Sequence, residues 1–266
     1  MNILEKNIDD MIWSFSRINS FHTCKYMWYL TYIEKLKGLQ NGHAEAGTLM
    51  HELMEDLSNN KLCLWDLVDE WKTRFDSNVK SKFMYNKYVD LKDKAFNNGV
   101  NFLETFEGFS DIGEVVSVEE KVETVLYDDI TGKEYKFIGY IDLLLRDKDG
   151  RYIVLDHKSK SGFKKGKVKG VQVDEQHDYA RQLYCYSKFV KEKYGEYPKE
   201  LIFNMFNKKE LIHIPFNMDD MNEAIKWCCE VIRNIYSELE FEPNVDYMFC
   251  HYLCGQRDKC NYKDAK

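Results

Sequence analysis

Two apolar segments near the middle of the chain decide the fold: Phe137-Ile-Gly-Tyr-Ile-Asp-Leu-Leu-Leu145 and Tyr152-Ile-Val-Leu-Asp-His-Lys158. Runs that are apolar on both faces are typical of buried central strands. The turn sequence Asp147-Lys-Asp-Gly150 lies between them, so we expect the two strands to pair in antiparallel fashion. Pairing brings Asp142 of the first strand towards Asp156 of the second.

These acidic residues have the surroundings of a catalytic site. A carboxylate among apolar neighbours, like that of Asp142, needs a partner or a metal because desolvation penalises its charge. Asp156 and Lys158 share one face of their strand because they are two residues apart. Two carboxylates attract a divalent cation that activates water, and Lys158 can orient that water or stabilise a developing anion. A salt-bridged core aspartate at 142 and a turn-forming aspartate at 156 are the structural alternatives.

Three other groups can join the same site. His51 lies on a predicted helix and could supply a nitrogen ligand, although a helical histidine is more often structural. Gln182 and Tyr186 are one helical turn apart and could bind phosphate or a nucleobase, although aromatic stripes usually belong to a core. Either Glu119 or Glu120 could add a carboxylate, and the sequence does not decide which one faces inward.

The predicted fold class is α/β, a mixed central sheet flanked by helices within a single domain spanning 1–266. Its helical part covers about 1–110, its sheet core about 111–216, and a C-terminal helix with a cysteine-bearing tail covers 217–266. Helices are predicted over 14–35, 46–57, 64–79, 85–106, 178–194 and 217–239, and strands over 114–127, 135–146, 151–158, 201–206 and 210–216.

Composition excludes several classes of protein. Of the 266 residues, 44% are hydrophobic, which supports a substantial core, and the apolar runs are too short for a membrane span. The first residues lack the pattern of a signal peptide, so we expect a cytoplasmic protein without a membrane partner. A net charge of −7 argues against a sequence-independent DNA coat. The lysine-rich stretch 158–169 is a solvated loop or a phosphate contact, and its position beside Asp156 favours phosphate.

Eight cysteines in a chain predicted to be cytoplasmic do not indicate a disulfide framework. Four of them lie in amphipathic stretches and are expected to be small buried hydrophobes: Cys63, Cys185, Cys228 and Cys229. The other four lie near the two ends of the chain: Cys24, Cys250, Cys254 and Cys260.

Taken in order, the motifs resemble those of the PD-(D/E)XK nuclease superfamily, in particular its RecB-like exonuclease branch. That branch includes CRISPR-associated RecB-like nucleases and the nuclease domains of AddAB-type helicase–nucleases. Five segments are similar to family motifs: the serine-rich helix 14–24 ending in Cys24, Gly47-Thr-Leu-Met-His51, Gly139-Tyr-Ile-Asp142, Asp156-His-Lys158, and Gln182 to Tyr186 as a Q-x-x-x-Y motif. The resemblance implies a restriction-endonuclease-like core.

The resemblance also implies the chemistry of the site. It implies Mg²⁺ or Mn²⁺ bound by His51, Asp142, Asp156 and the carbonyl of His157, with Lys158 as the catalytic lysine and Gln182 and Tyr186 beside it. DNA is the implied substrate, as single strands or duplex ends, cleaved by a metal-activated water. Several family members carry a [4Fe-4S] cluster held by one N-terminal and three C-terminal cysteines. Cys24, Cys250, Cys254 and Cys260 fit this distribution. The spacing here is C-x3-C-x5-C instead of the usual C-x2-C-x5-C, so zinc or free buried thiols remain alternatives.

The sequence therefore predicts a metal-dependent DNA nuclease that acts as an exonuclease, and it does not decide between a phage, a CRISPR and a DNA repair or recombination setting. A helicase or a recombination or CRISPR protein is the candidate partner. Two other functions stay open: a non-catalytic DNA-binding or adaptor subunit of such a complex, and a structure-specific endonuclease. The intact set of acids, lysine and Q-x-x-x-Y residues argues against the adaptor.

Overall fold

A mixed five-stranded sheet forms the centre of the molecule in a computed structural model, which describes residues 8–168 and 171–264. The strands in chain order are β1 (Glu114–Tyr127), β2 (Glu134–Arg146), β3 (Tyr152–Lys158), β4 (Lys165–Val168), β5 (Val171–Asp174), β6 (Glu200–Met205) and β7 (Glu210–Pro215). The main sheet has the order β1-β2-β3-β6-β7, and β4 pairs with β5 in a separate hairpin. Neighbours are antiparallel except β3 and β6, which are parallel.

Helices precede, interrupt and follow the sheet. In chain order they are α1 (Phe15–Thr23), α2 (Lys25–Trp28) with a π-helical turn over Tyr29–Ile33, α3 (Gly42–Ser58), a 3₁₀ turn over Leu64–Asp66, α4 (Leu67–Asn78), α5 (Leu91–Leu103), α6 (Glu175–Tyr194), α7 (Met218–Ser237) and a π-helical turn over Phe249–Leu253. Side-chain oxygens of Ser14, Asn41, Asp90, Asp174 and Asn217 cap the starts of α1, α3, α5, α6 and α7. None of the described helices has the length and apolar character needed to cross a membrane.

The sheet separates two apolar cores. Alternate residues of β3 enter opposite cores: Val154 packs with residues of α1, α6 and α7, and Ile153 with residues of α3, α4 and α5. All residues from Tyr152 to His157 are buried, as expected of a central strand covered on both faces. The predicted α/β class, with a mixed sheet flanked by helices, is confirmed.

Two predicted helices differ from the observed ones. The helix predicted over 14–35 breaks at Cys24, whose backbone is extended because its Sγ caps α2 by accepting the N–H of Met27 at 3.5 Å. The helix predicted over 85–106 begins only at Leu91, because Asp90 caps the N–H groups of the first turn. Residues 80–90 instead form an irregular connection.

The lysine-rich stretch 158–169 is partly neutralised by acidic residues. It runs into the β4–β5 hairpin, which the sequence did not predict. Lys160 lies 2.9 Å from a Glu175 carboxylate oxygen, and Lys165 lies 2.9 Å from Asp174. Lys169 lies outside the described residues. The predicted phosphate contact of this stretch stays a prediction.

Candidate active site

The regular backbone pairing between β2 and β3 ends at Asp142. The two strands pair from Arg146 with Tyr152 to Leu143 with Leu155, and Asp142 is the next residue of β2. Here its carboxylate accepts the backbone N–H of His157 at 2.7 Å. The Asp142 side chain thus replaces a backbone carbonyl as the acceptor for this N–H, and its carboxylate is held at the end of the regular strand pairing.

Asp156 and Lys158 lie beside this point on one face of β3, as the two-residue spacing predicted. The Lys158 ammonium forms an ion pair with Asp156, whose side chain is almost fully buried. The rings of Tyr179 and Phe203 lie 5.8 and 5.9 Å from the ammonium and border it on its apolar side. The cation is therefore confined to the neighbourhood of the carboxylates.

His51 and Glu119 complete the cluster from two other elements. His51 lies on α3, and its Nδ1 is 3.5 Å from a carboxylate oxygen of Asp142. One potential ligand atom from each of His51, Glu119 and Asp142 lies within 4.8 Å of the other two. Such a set of one imidazole nitrogen and two carboxylates suits a divalent cation.

The two candidate glutamates of β1 have different positions. Val118 pairs with Leu143 and Glu120 with Ile141, so Glu119 stands opposite Asp142. Its φ is +48°, the left-handed region that non-glycine residues rarely occupy, and Glu119 is the one that joins His51 and Asp142. Glu120 is buried elsewhere.

Glu120 is fully engaged by other residues. Its carboxylate accepts hydrogen bonds from Ser117 at 2.5 Å and Tyr194 at 2.8 Å, and forms an ion pair with Lys193. Although burial alone would raise the pKa of Glu120, these partners hold it below the ordinary value. Glu120 therefore stabilises the contact between β1 and α6 and does not take part in the cluster.

Electrostatics at the site favour a bound cation. Burial and the neighbouring Asp156 carboxylate raise the pKa of Asp142 well above its ordinary value, against the opposing effect of Lys158. One carboxylate oxygen of Asp156 is buried and accepts no hydrogen bond of normal geometry from the described residues, although the Lys158 ammonium lies against it. Burial lowers the pKa of His51 and thus favours the neutral imidazole that metals bind. The residues present fit a divalent metal.

Lys158 stays protonated within this cluster. Burial opposes its charge, but the carboxylates of Asp156 and Asp142 outweigh this effect and raise the pKa of Lys158 above the ordinary value. The side chain is therefore an ammonium at neutral pH. It can offset negative charge on a bound group but cannot itself act as a base.

Gln182 and Tyr186 meet the cluster from the other side of the sheet. They lie on α6, and the Gln182 side-chain amide donates to the Tyr186 hydroxyl at 2.9 Å. Burial, and also the charges of Asp156 and Asp142, raise the pKa of Tyr186, while the bond from Gln182 opposes this rise. The phenol is thus protonated at neutral pH and remains a hydrogen-bond donor near the carboxylates.

His157 has a supporting contact on the opposite face of β3. Its ring is buried, with Nδ1 3.2 Å from the Asn204 side-chain nitrogen, and it stacks on Phe206 at 5.3 Å. Burial, together with the charges of His51 and Lys158, holds the pKa of His157 well below the ordinary value. The neutral ring packs under His51, and the main-chain N–H positions Asp142.

The four terminal cysteines line one pocket. Cys24, Cys250 and Cys254 are buried and Cys260 is half-buried, and the pocket also includes Tyr26 and Phe249 among its walls. The sulfur of Cys24 accepts the N–H of Asn244 at 3.4 Å, and Cys250 donates to the Asn244 carbonyl at 3.8 Å. Burial raises the pKa of Cys254 to about 11. The four thiols of this pocket are a donor set of the kind that binds a metal or a cluster, although among the described residues no three of their sulfur atoms lie within 4.8 Å of one another.

Hydrogen bonds fix this C-terminal segment to the beginning of the chain. The Gln256 side chain donates to the Leu36 carbonyl at 2.9 Å and to the Thr31 hydroxyl at 3.2 Å. The N–H of Leu39 donates to the Gly255 carbonyl at 2.7 Å. These contacts hold the C-terminal segment against the part of the chain that follows α2, although the two are more than two hundred residues apart in sequence. The cysteines of the two segments therefore come to share one pocket.

A cluster of carboxylates and a lysine that can hold a divalent cation can support metal-dependent hydrolysis of a phosphodiester. The family model of the PD-(D/E)XK nuclease superfamily matches residues 12–264, so the chain belongs to that superfamily. Membership implies a metal-dependent nuclease with DNA as its substrate.

Other comparisons give less. A solved structure described as "Crystal structure of SSO0001" aligns with a TM-score of 0.38 and 16% identity, covering 81% of this chain and 95% of that chain. A comparison with curated proteins finds no match.

Proposed function

We propose that the chain is a Mg²⁺- or Mn²⁺-dependent DNA exonuclease of the RecB-like branch, which degrades single strands or duplex ends. The observation that carries the proposal is the meeting of Asp142, Asp156 and Lys158 where β2 and β3 part, with His51 and Glu119 beside them. We assign the cation to His51, Asp142 and Asp156, with Glu119 and the His157 carbonyl as further ligands.

Each side chain has a distinct part in this proposal. A cation bound here would activate water and neutralise charge on the scissile phosphate. Lys158 is held by Asp156 and offers its ammonium to the charge that develops on the phosphate oxygens. Tyr186 accepts from Gln182 and so keeps its own hydrogen for a phosphate oxygen. The buried ring of His157 and its N–H keep Asp142 in place.

We also propose a [4Fe-4S] cluster in the cysteine pocket. Thiolates are the usual ligands of such clusters, and Cys24, Cys250, Cys254 and Cys260 share the pocket. The cluster would cross-link two distant parts of the chain and reduce the entropy of the unfolded state, as a long-loop disulfide does. Its role here is structural, because the catalytic acids lie on the sheet and the cysteines lie at the chain's two ends.

The test of the nuclease proposal is cleavage of end-labelled DNA with Mn²⁺, with Mg²⁺ and with EDTA. Single-stranded linear, duplex linear and single-stranded circular substrates distinguish the modes of action, because an exonuclease leaves the circle intact. Asp142→Asn and Lys158→Ala should each reduce cleavage by at least about a hundredfold. Lys148→Ala, in the exposed turn between β2 and β3, is the matched control and should cleave like wild type.

Two results would contradict the proposal. Wild-type protein that cleaves none of the substrates in either metal would favour the adaptor function. Cleavage of the circular substrate at the linear rate would identify an endonuclease.

A further inference from the structure

Residues 80–90, which we name the tyrosine loop, expose large aromatic rings to solvent. Tyr85 and Tyr88 are each 80% exposed. Lysines alternate with these aromatics at 80, 82 and 87, and Lys87 lies 4.7 Å from the centre of the Tyr88 ring. Exposed aromatics interleaved with cations form the surface that single-stranded nucleic acids use for stacking.

The tyrosine loop is fixed to α3, the helix that carries His51. The Glu45 carboxylate accepts the backbone N–H groups of Lys80 and Ser81 at 2.8 and 2.7 Å, and the Ser81 hydroxyl at 2.6 Å. The Phe83 ring lies so close to Gly42 that a β-carbon there would be 2.2 Å from it. These contacts place the tyrosines on a supported loop near the start of α3.

A cleft is lined by residues that adjoin the tyrosine loop in sequence and by residues that adjoin the active site in sequence. It has a volume of about 270 Å³ and lies between α3, α5 and the segment after β3. Its lining includes Met50, the residue before His51, and Ser159, the residue after Lys158. At its other end it includes Leu91, the first residue of α5 after the loop, and Lys94. Gly42 and His51 are nine residues apart on α3, or roughly 14 Å, a distance that a few nucleotides span.

Charge on this surface suits a polyanion, whereas the whole chain carries −7. Within the described chain, no carboxylate lies at ion-pair distance from the ammonium groups of Lys82 and Lys87. Lys94 at the cleft is likewise exposed and without an ion pair to any described residue. These cations are therefore available to phosphates along the path towards the site.

We propose that the tyrosine loop binds single-stranded DNA by stacking bases on Tyr85 and Tyr88, and that the adjoining cleft leads the strand to the metal cluster. This rests on the proposed nuclease function. Stacking requires unpaired base faces, which a duplex conceals, so the surface selects single strands or frayed ends. Recognition is tolerant of sequence because every base offers a flat face.

The test is binding of a fluorescent 12-mer of thymidylate in EDTA, where no metal-dependent cleavage occurs, measured by anisotropy. The Tyr85→Ala/Tyr88→Ala variant should bind roughly tenfold or more weakly than wild type. Tyr127→Ala is the matched control, because Tyr127 is also exposed, at 57%, but ends β1 eight residues away from Glu119. It should bind like wild type. The exposed tyrosines make few packing contacts, so thermal unfolding should be unchanged in both variants.

The outcomes separate this proposal from the nuclease proposal. Hydrolysis of bis(4-nitrophenyl) phosphate with Mn²⁺ reports on the cluster alone, because this diester is too small to reach the loop, and the double variant should retain it. Equal 12-mer affinity in wild type and the double variant, or equal binding of blunt duplex and single strand, overturns the loop proposal. Wild type that binds the 12-mer but hydrolyses neither the diester nor DNA overturns the nuclease proposal and leaves the loop supported.

Discussion

Gly139 of β2 lies directly under the ring of Tyr186 on α6. A β-carbon at position 139 would be 2.4 Å from the ring Cε1 and 2.7 Å from the hydroxyl oxygen of Tyr186. The absence of a side chain at Gly139 thus leaves room for the phenol near the Asp142 carboxylate, three residues farther along the strand. Gly139 and Tyr186, which belong to two motifs and are 47 positions apart in sequence, are therefore in contact.

Gly139→Ala should therefore disturb the site through Tyr186. The added methyl forces either the ring or the strand to move, which typically costs about 1–3 kcal/mol of stability in a packed core. The double variant Gly139→Ala/Tyr186→Ala removes the obstruction, so its destabilisation should be smaller than the sum of the two single effects. Urea unfolding of all three variants measures this, and simple additivity would show that the contact is not the cause.

Asp142→Asn should stabilise the metal-free protein. The pKa of Asp142 is raised above its ordinary 3.8, so the unfolded chain ionises first and charging the folded state costs stability at neutral pH. Removing that charge should raise Tm by roughly 2–5 °C. The gain should shrink as the pH falls through the raised folded pKa of Asp142, where the wild type takes up its proton, and should vanish below the ordinary 3.8.

Bound Mn²⁺ should make the wild type more stable than Asp142→Asn. Mn²⁺ binds only the folded site, so the Tm of the wild type should rise with Mn²⁺ concentration. At 100 times Kd the free energy of unfolding should increase by about 2.7 kcal/mol. The Tm of Asp142→Asn should hardly change. Thermal scans with and without Mn²⁺ measure both effects independently of activity. Equal Mn²⁺ shifts in the two proteins would remove Asp142 from the ligand set.

Glu119→Gln and Glu120→Gln should have opposite consequences. Glu119 faces the cluster, so its neutralisation should weaken the Mn²⁺-induced rise in Tm with little effect on metal-free stability. Glu120 is buried with Lys193 and Tyr194, so its neutralisation should cost about 1–3 kcal/mol of stability and leave the metal response intact. The reverse pattern would place Glu120 at the metal.

Asp128 provides an acid-sensitive contact remote from the site. Burial alone would raise its pKa, but hydrogen bonds from Thr131 and Arg233 hold the pKa of Asp128 below the ordinary 3.8. Its stabilisation is therefore complete above that value and lost as pH falls through the lower folded pKa. Asp128→Asn should be less stable than wild type by about 1–3 kcal/mol at neutral pH. In urea titrations the difference should shrink below about pH 4, and a constant difference would contradict the assignment.

The cysteine pocket predicts a colour. Protein purified without oxygen should be brown, absorb at about 400 nm and contain iron with inorganic sulfide. Cys254→Ser should lose the absorbance. Cys63 was predicted to be buried but is exposed, and it lies outside the pocket, so Cys63→Ser should keep the absorbance. A colourless protein with stoichiometric zinc would replace the cluster with a zinc site.

The central strands were predictable because their signals are local. Runs apolar on both faces identified β2 and β3, and the Asp147–Gly150 turn set their antiparallel pairing. The spacing of Asp156 and Lys158 then fixed their common face. These features need no knowledge of the remaining chain.

The predictions that failed depended on contacts across the fold, apart from one helix start whose signal was local and was overlooked. Strict alternation along β1 could not choose between Glu119 and Glu120, because the strand has an irregular register between Val115 and Ser117 and a left-handed residue at Glu119. The helix predicted from Tyr85 ignored Asp90, a local N-cap signal that the sequence did contain. The tyrosine loop is held by contacts of Ser81 with Glu45 and of Phe83 with Gly42, and these partners lie 36 and 41 residues earlier in the chain and leave no local pattern.

The contact between the C-terminal tail and the region of α2 can form only at the end of synthesis. Cys24 and Thr31 leave the ribosome more than two hundred residues before Cys250 and Gln256. All strands of the sheet, with Asp142, Asp156 and Lys158, are thus synthesised before Cys250, Cys254 and Cys260, which share a pocket with Cys24. The proposed cluster could form only after Cys250, Cys254 and Cys260 have been synthesised, so a chain truncated before Cys250 would keep Asp142, Asp156 and Lys158 and lack the cross-link between its two ends.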